Sequence, residues 1–240
     1  KLAQKGVAFQ KHFANAPSCG PSRYTLLTGQ IGPANNNALF KRAENVSRDI
    51  KTDPSMPEWF KTHGYTTVSV GKVSHHPGGW GGKDWNDTTL LEMPRAWDKQ
   101  IMPVGEWDHP RGMMHGLAYG EIRVKPKDMD VFQNKEGDDN IYPDGLITKQ
   151  ALKQLRGLSA NADNPFFLAV GIIKPHLPFG VPKSYYDRYE DVKLPDIKHS
   201  QKPEGKTTWH NSGEFMRYNL WDKDPNTNND FADEVRRHYA

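Results

Sequence analysis

The 240 residues suffice for one large α/β domain, and an aromatic content of 11% excludes a disordered composition. A net charge of +3 without any block of Lys or Arg excludes a nucleic-acid-binding arm, and the single cysteine, Cys19, excludes an internal disulfide framework. No apolar run reaches the roughly 18 residues of a membrane-spanning helix, and no signal peptide is visible.

In chain order, Lys1 to Gly6 reads as the end of a helix closing on a glycine, which implies that the chain begins inside a domain. Val7 to Phe13 reads as a strand. Pro21 to Leu27 starts a helix, with proline tolerated in the first turn. Met56 to His63 forms a short amphipathic helix ended by Gly64, and Tyr65 to Val70 a buried strand rich in β-branched residues. Asp144 to Leu158 carries Leu146, Ile147, Ala151, Leu155 and Leu158 at helical spacing, with Asp144 as a cap. Pro165 to Ile173 is a continuous apolar run, the pattern of a central parallel strand buried on both faces. Pro182 to Tyr189 and Phe231 to Ala240 read as helices, the second without a stop signal, so that the chain ends mid-helix.

Strands alternating with helices predict an α/β fold, a mixed or mostly parallel sheet flanked by helices on both faces. Two stretches break the rhythm. Gly78 to Tyr142 holds Trp80, Trp85, Trp97 and Trp107 among Gly, Pro, Met and His, and Pro195 to Asp230 is irregular and polar. Loops of that length commonly serve as lids or binding loops. A mean hydropathy of −0.83, with 21 Gly and 18 Pro, fits a chain with much loop on a smaller core.

Three segments carry chemistry. The first is Cys19-Gly20-Pro21-Ser22-Arg23-Tyr24-Thr25-Leu26-Leu27-Thr28-Gly29. Cys19 precedes a helix N-terminus, where free N–H groups and the helix dipole favour negative charge. Arg23, four residues on, returns to the same face one turn away. A nucleophile and a fixed cation therefore share an anion-binding backbone, although Cys19 without its neighbours equally reads as a structural cysteine. The second is Gly71-Lys72-Val73-Ser74-His75-His76-Pro77-Gly78, just past the strand at 65–70, and the third is Lys174-Pro175-His176-Leu177-Pro178-Phe179, after the apolar strand. Each alone reads as a surface loop; together they sit where α/β sheets collect ligands, at the C-terminal ends of strands.

These segments resemble the signature of the formylglycine-dependent (type I) sulfatases. The first matches C-x-P-S-R followed by x-x-x-L-T-G. The others are similar to the G-K-V-x-H-P-G and K-P-H-x-P-F segments of the iduronate-sulfatase branch. Two histidines stand where that pattern has one: counting from Lys72 selects His75, counting back from Pro77 selects His76, and the reading here takes His75.

The resemblance implies an alkaline-phosphatase-like fold and a hydrolase of sulfate esters on a sugar or polysaccharide. It implies that a formylglycine-generating enzyme oxidises Cys19. One hydroxyl of the hydrated aldehyde then binds a divalent cation, Ca2+ foremost, and attacks sulfur. The other loses its proton and expels sulfate. The implied catalytic residues are Cys19, Arg23, Lys72, His75 and His176. Lys174 and His76 are expected as substrate contacts; in the Trp-rich loop Trp80 is expected to stack on a sugar ring and Arg111 and His115 to reach anionic groups, although any single Trp equally fits a small core beneath its loop. Cys19 is the only metal ligand the chain offers. The family's aspartate pair would precede Lys1, and a later Asp-His or Asp-Asn pair with a further Lys would follow Ala240. Residues 1–240 thus read as an incomplete catalytic domain, inactive alone. The family implies a periplasmic, secreted or lysosomal location. The alternatives are a related formylglycine-dependent phosphonate or phosphodiester hydrolase and a non-catalytic domain that binds anionic glycans.

Overall fold

The computed structural model describes residues 2–14, 16–77, 79, 90–127, 131–161, 163–197, 204, 214–219 and 222–239. Helix α1 (Cys19–Thr28) forms over the predicted span and begins two residues earlier. Its start is held from outside: Asn36 Oδ1 accepts from Gly20 N at 3.1 Å and from Ser18 Oγ at 3.3 Å. Gly29 ends it in the left-handed region, φ 69°, with its N–H on Thr25 O, as glycine caps do. Helix α2 (Ala38–Ser47), which the sequence reading passes over, buries Leu39, Phe40, Ala43 and Val46 along one face. Helix α3 (Met56–Thr62) starts where Glu58 accepts from Ser55 N at 3.2 Å; the same carboxylate pairs with Arg42 of α2 at 3.0 Å.

The strands β1 (Thr66–Gly71), β2 (Lys99–Ile101) and β4 (Phe166–Gly171) form a parallel sheet in the order β2-β1-β4. A second, two-stranded parallel sheet joins β3 (Phe132–Lys135) to β5 (Phe179–Pro182). Alternation along β1 and β4 splits the larger sheet into two faces. Val68, Val70 and Leu168 pack on Ile147 and Ala151 of α5 (Pro143–Ser159), together with Trp107, Met113 and Met114. On the other face Phe60 of α3 stacks on Phe167 at 4.6 Å, with Trp97 beyond it. Helices therefore cover both faces of β1, as its pattern predicts.

Several expectations are corrected. Lys1 to Gly6 is not a helix end: among the described residues a turn closes there, Lys5 N on Leu2 O. Residues 7–13 form no strand, and Val7, Phe9 and Phe13 are exposed, because no described segment pairs with them. The apolar run at 165–173 does form β4, yet it is an edge strand among the described residues, with Val170 45% exposed, instead of being buried on both faces. The helix expected at 182–189 is a single turn, α6 (Lys183–Tyr186), because β5 takes its first residue. The stretch 78–142 is no simple lid. Its described part holds β2, β3 and the short helix α4 (Pro110–Met114), and it buries Trp107 and Met113 in the main core. Within 195–230 lies α7 (Glu214–Tyr218), followed by α8 (Asn229–Tyr239) close to its predicted span.

Candidate functional site

The site is set by where β1 and β4 end. They run parallel and in register through Gly71↔Gly171, so the loops that follow leave side by side, with Lys72 N on Gly171 O at 2.8 Å. Asp144, expected to cap α5, has another task. Its two carboxylate oxygens accept from Ile173 N at 2.8 Å and Lys174 N at 2.9 Å, and so fix the start of the loop that carries His176.

Half-buried Cys19 opens α1. One turn on, Arg23 reaches across to the β1 loop, where Nη1 donates to Lys72 O at 2.5 Å and Val73 O at 2.9 Å. Lys72 itself is 1% exposed. Cys19, Arg23 and Lys72 lie close enough for their charges to act on one another. Burial lowers the pKa of Arg23, and a negative charge at Cys19 works against that shift. Burial likewise pushes Lys72 down to about 8; the charge at Cys19 offsets part of that, and the fixed charge of Arg23 lowers it further.

The two adjacent histidines are used differently. His75 is pushed down to about 3 by burial, then by His76, Lys72 and Arg23, so it lies within reach of their charges. His76 does not turn to the pocket as a substrate contact. Its backbone N–H donates to Glu92 Oε2 at 2.6 Å, its Nδ1 meets Glu92 Oε1 at 3.2 Å, and its ring lies against Phe40 at 5.1 Å. A buried carboxylate and an aromatic wall hold it away from solvent.

On the β4 side, His176 turns Nδ1 to Leu177 O at 2.6 Å, an arrangement that leaves Nε2 for a ligand, and burial followed by the charge of Lys72 holds it down at about 3. The ring of His115, just past α4, lies 5.7 Å from it, edge to face. Burial and then Arg123, Arg111, Lys72 and Lys174 bring His115 down to about 4. Lys174, expected to bind substrate, directs its ammonium to Pro178 O and His176 O and thereby ties its own loop together. Burial brings it down to about 8, against the favourable charge of Asp144.

Lys72 is the hub: its charge acts on His75, His115 and His176 alike. The charges of Cys19 and Arg23 act on it, and its own charge reaches His115 and His176, where Lys174 and the exposed Arg111 also act on His115. All three histidines are neutral at neutral pH. The arrangement sets fixed cations beside neutral imidazoles, groups that can attract an anion and accept protons. Trp80 lies outside the described residues.

Three participants escape sequence reasoning. Glu92 is 1% exposed and its charge acts on both Arg23 and Lys72; a lone carboxylate inside Leu90-Leu91-Glu92-Met93 is its only signal. Arg123 places Nη2 3.3 Å from His115 Nδ1, stacks on Tyr218 at 3.8 Å and pairs with Glu214 at 3.5 Å. Neither Arg123 nor Glu214 stands in any recognisable motif.

A divalent cation of the hard type takes six or more oxygen ligands. Among the described residues no group of three or more His, Cys, Asp or Glu side chains is arranged to hold a metal ion. Glu92 and Asp144 are committed to the bonds given above, and Glu214 to Arg123. These residues do not fit a metal centre by themselves. No described helix is long and apolar enough to cross a membrane.

The sulfatase family model matches residues 1–219. The chain is 32% identical to iduronate 2-sulfatase of Homo sapiens over 216 residues, which is 87% of this chain and 37% of that protein. It is 29% identical to a sulfatase of Formosa agariphila, covering 81% of this chain and 37% of that protein. Choline-sulfatase of Rhizobium meliloti is 25% identical over 80% of this chain and 36% of its own length. The chain thus spans well under half the length of the relatives it matches, and it belongs to the sulfatase family, with the α/β, alkaline-phosphatase-like fold that membership carries.

Proposed function

We propose that, within the whole protein, this chain forms the nucleophile-bearing wall of a site that hydrolyses sulfate esters of a sugar or polysaccharide. The observation that carries the reading is the proximity of Arg23 and Lys72 to Cys19 at the start of α1, with neutral His75 and His176 both within reach of the charge of Lys72. Formylglycine made from Cys19 by a formylglycine-generating enzyme would supply the nucleophile, and a divalent cation, Ca2+ foremost, would be held largely by ligands other than those described.

The chain's own residues then divide the work. Arg23, anchored on the Lys72 and Val73 carbonyls, presents a planar, permanently charged group beside position 19. Lys72 is a point charge for sulfate oxygens, buried where water screens it little. His75, neutral and beside Arg23, is suited to take a proton from the group at position 19. His176, with Nε2 available, is suited to protonate the departing sugar oxygen. His115 and Arg111 extend the cationic surface beyond His176, toward the rest of an anionic glycan. The family suggests a periplasmic, secreted or lysosomal location.

The test is direct. Mass spectrometry of the Cys19 peptide from the full-length protein should show conversion of thiol to aldehyde, and an aryl sulfate should be turned over faster than the matched aryl phosphodiester. An unconverted Cys19 with no sulfate release, or a preference for the phosphodiester, would replace this reading by the glycan-binding or phosphodiesterase alternative.

A further inference from the structure

Of the two adjacent histidines, one is fixed by a residue that lies outside all three motif-bearing segments. Glu92 follows β1 by some twenty positions and is anchored by its neighbour Met93, which packs with Leu27 of α1, Leu39 of α2 and Ala96. That core holds the Glu92 carboxylate, 1% exposed, beneath the β1 loop. One oxygen takes the His76 N–H at 2.6 Å and the other meets His76 Nδ1 at 3.2 Å. Both the backbone and the ring of His76 are thus fixed by one buried carboxylate. The pinned His76 ring, flanked by Phe40, meets the His75 ring edge-on at 4.4 Å. His75 therefore packs on a wall that Glu92 builds. The same carboxylate adds a negative charge that acts on Arg23 and Lys72, alongside Cys19 and, at Lys72, Glu214. A buried charge pair broken on one side leaves the remaining charges uncompensated, a costly state.

We propose that Glu92 is a positioning residue for the sulfatase site: by pinning His76 it leaves His75 as the histidine that works beside Lys72. The inference rests on the functional reading above. It acts through His75 and contributes nothing to substrate contact, so its loss lowers kcat and leaves KM nearly unchanged.

The experiment uses the full-length enzyme with an aryl sulfate, each rate normalised to formylglycine content measured by mass spectrometry. Glu92→Gln keeps shape and one acceptor but removes the charge; kcat should fall at least tenfold with KM within about threefold. His76→Phe keeps the ring on Phe40 and removes the bond to Oε1; it should lose part of that activity. The double variant should be no worse than Glu92→Gln alone, the non-additivity of residues acting as a unit. A kcat in Glu92→Gln equal to wild type, or losses that multiply in the double variant, would overturn the proposal. If Glu92→Gln does not fold, an unchanged kcat in His76→Phe overturns it. A wild-type enzyme that releases no sulfate instead overturns the functional reading on which it stands.

Discussion

Gly71 and Gly171 face each other in register at the C-terminal ends of β1 and β4, and neither has room for a methyl group. A Cβ on Gly71 would lie 2.3 Å from Gly171 O, and one on Gly171 would lie 2.0 Å from the Lys72 carbonyl carbon. Both obstructions are backbone, which cannot rotate aside. This close approach lets the Lys72 and His176 loops leave the sheet together.

Gly171→Ala should therefore cost roughly 3 kcal/mol, the upper range for forced overpacking, and should part the two loops. Gly29→Ala is the control. Its φ of 69° is strained for alanine, but nothing lies within 4 Å, so about 1 kcal/mol is expected. Urea unfolding of the two variants checks the order; equal losses would mean that the strand ends can spread without strain.

Much of this was legible in the sequence, for stated physical reasons. Helix α5 and strand β1 carry their own periodicity, and the start of α1 carries Pro21 and Gly29. What was not legible depends on partners distant in the chain. Asp144 looks like a cap, yet it bonds to backbone about thirty residues away. Counting from Lys72 favours His75 over His76, but the carboxylate of Glu92 that holds the second of them is not foreseen by that count. The apolar run at 165–173 predicts a strand correctly, but its depth depends on neighbours that the run itself does not specify.

Arg23→Lys, made in the full-length protein, should lower kcat/KM for an aryl sulfate by about ten- to a hundredfold although the charge is kept. Arg23 Nη1 bridges the Lys72 and Val73 carbonyls while the rest of the plane stays beside Cys19; a lysine cannot hold both. One lost charged hydrogen bond is worth about 1.5–3 kcal/mol, which sets that range. Turnover within twofold of wild type would show that Arg23 supplies only diffuse charge.

The isolated 240-residue chain should show no rise in Tm on adding millimolar Ca2+ and no release of sulfate. A ligand that binds only the folded state raises stability in proportion to the logarithm of its concentration over Kd. No carboxylate cluster among the described residues offers such a site. A clear calcium-dependent shift would show that these residues hold the ion after all.

Acid should destabilise the fold over a defined window. His75, His115 and His176 are held down at about 3, about 4 and about 3, against an ordinary value of 6.5. Below pH 6.5 the unfolded chain takes up protons that the folded chain refuses, so stability falls with pH until the folded values are reached. The contribution is fully present above pH 6.5 and is lost between about 6.5 and 3. Urea midpoints measured from pH 7 to pH 4 should fall, and His115→Asn should fall less steeply. An identical slope in that variant would mean that His115 titrates normally.

His176 is the group proposed to protonate the leaving oxygen, and in the free site it carries no proton to give at Nε2. Its Nδ1 faces the Leu177 carbonyl, and burial together with Lys72 keeps the ring neutral. A bound sulfate ester changes that balance, because its negative charge offsets Lys72 and stabilises an imidazolium. The proton should therefore arrive with the substrate. NMR titration of the His176 ring in the full-length protein should show its pKa rising when inorganic sulfate is added. The chemical consequence depends on the leaving group. A sugar alkoxide leaves poorly without a proton, and a positioned acid typically contributes about 10²–10⁴-fold, whereas a phenolate needs that help far less. His176→Ala should then damage turnover of a sugar sulfate much more than that of an activated aryl sulfate. His75→Ala should damage both alike, because expulsion of sulfate from position 19 is common to the two substrates. Equal losses for both substrates in the His176 variant, measured in the chemical step, would remove the acid role and leave His176 as a sulfate-binding group.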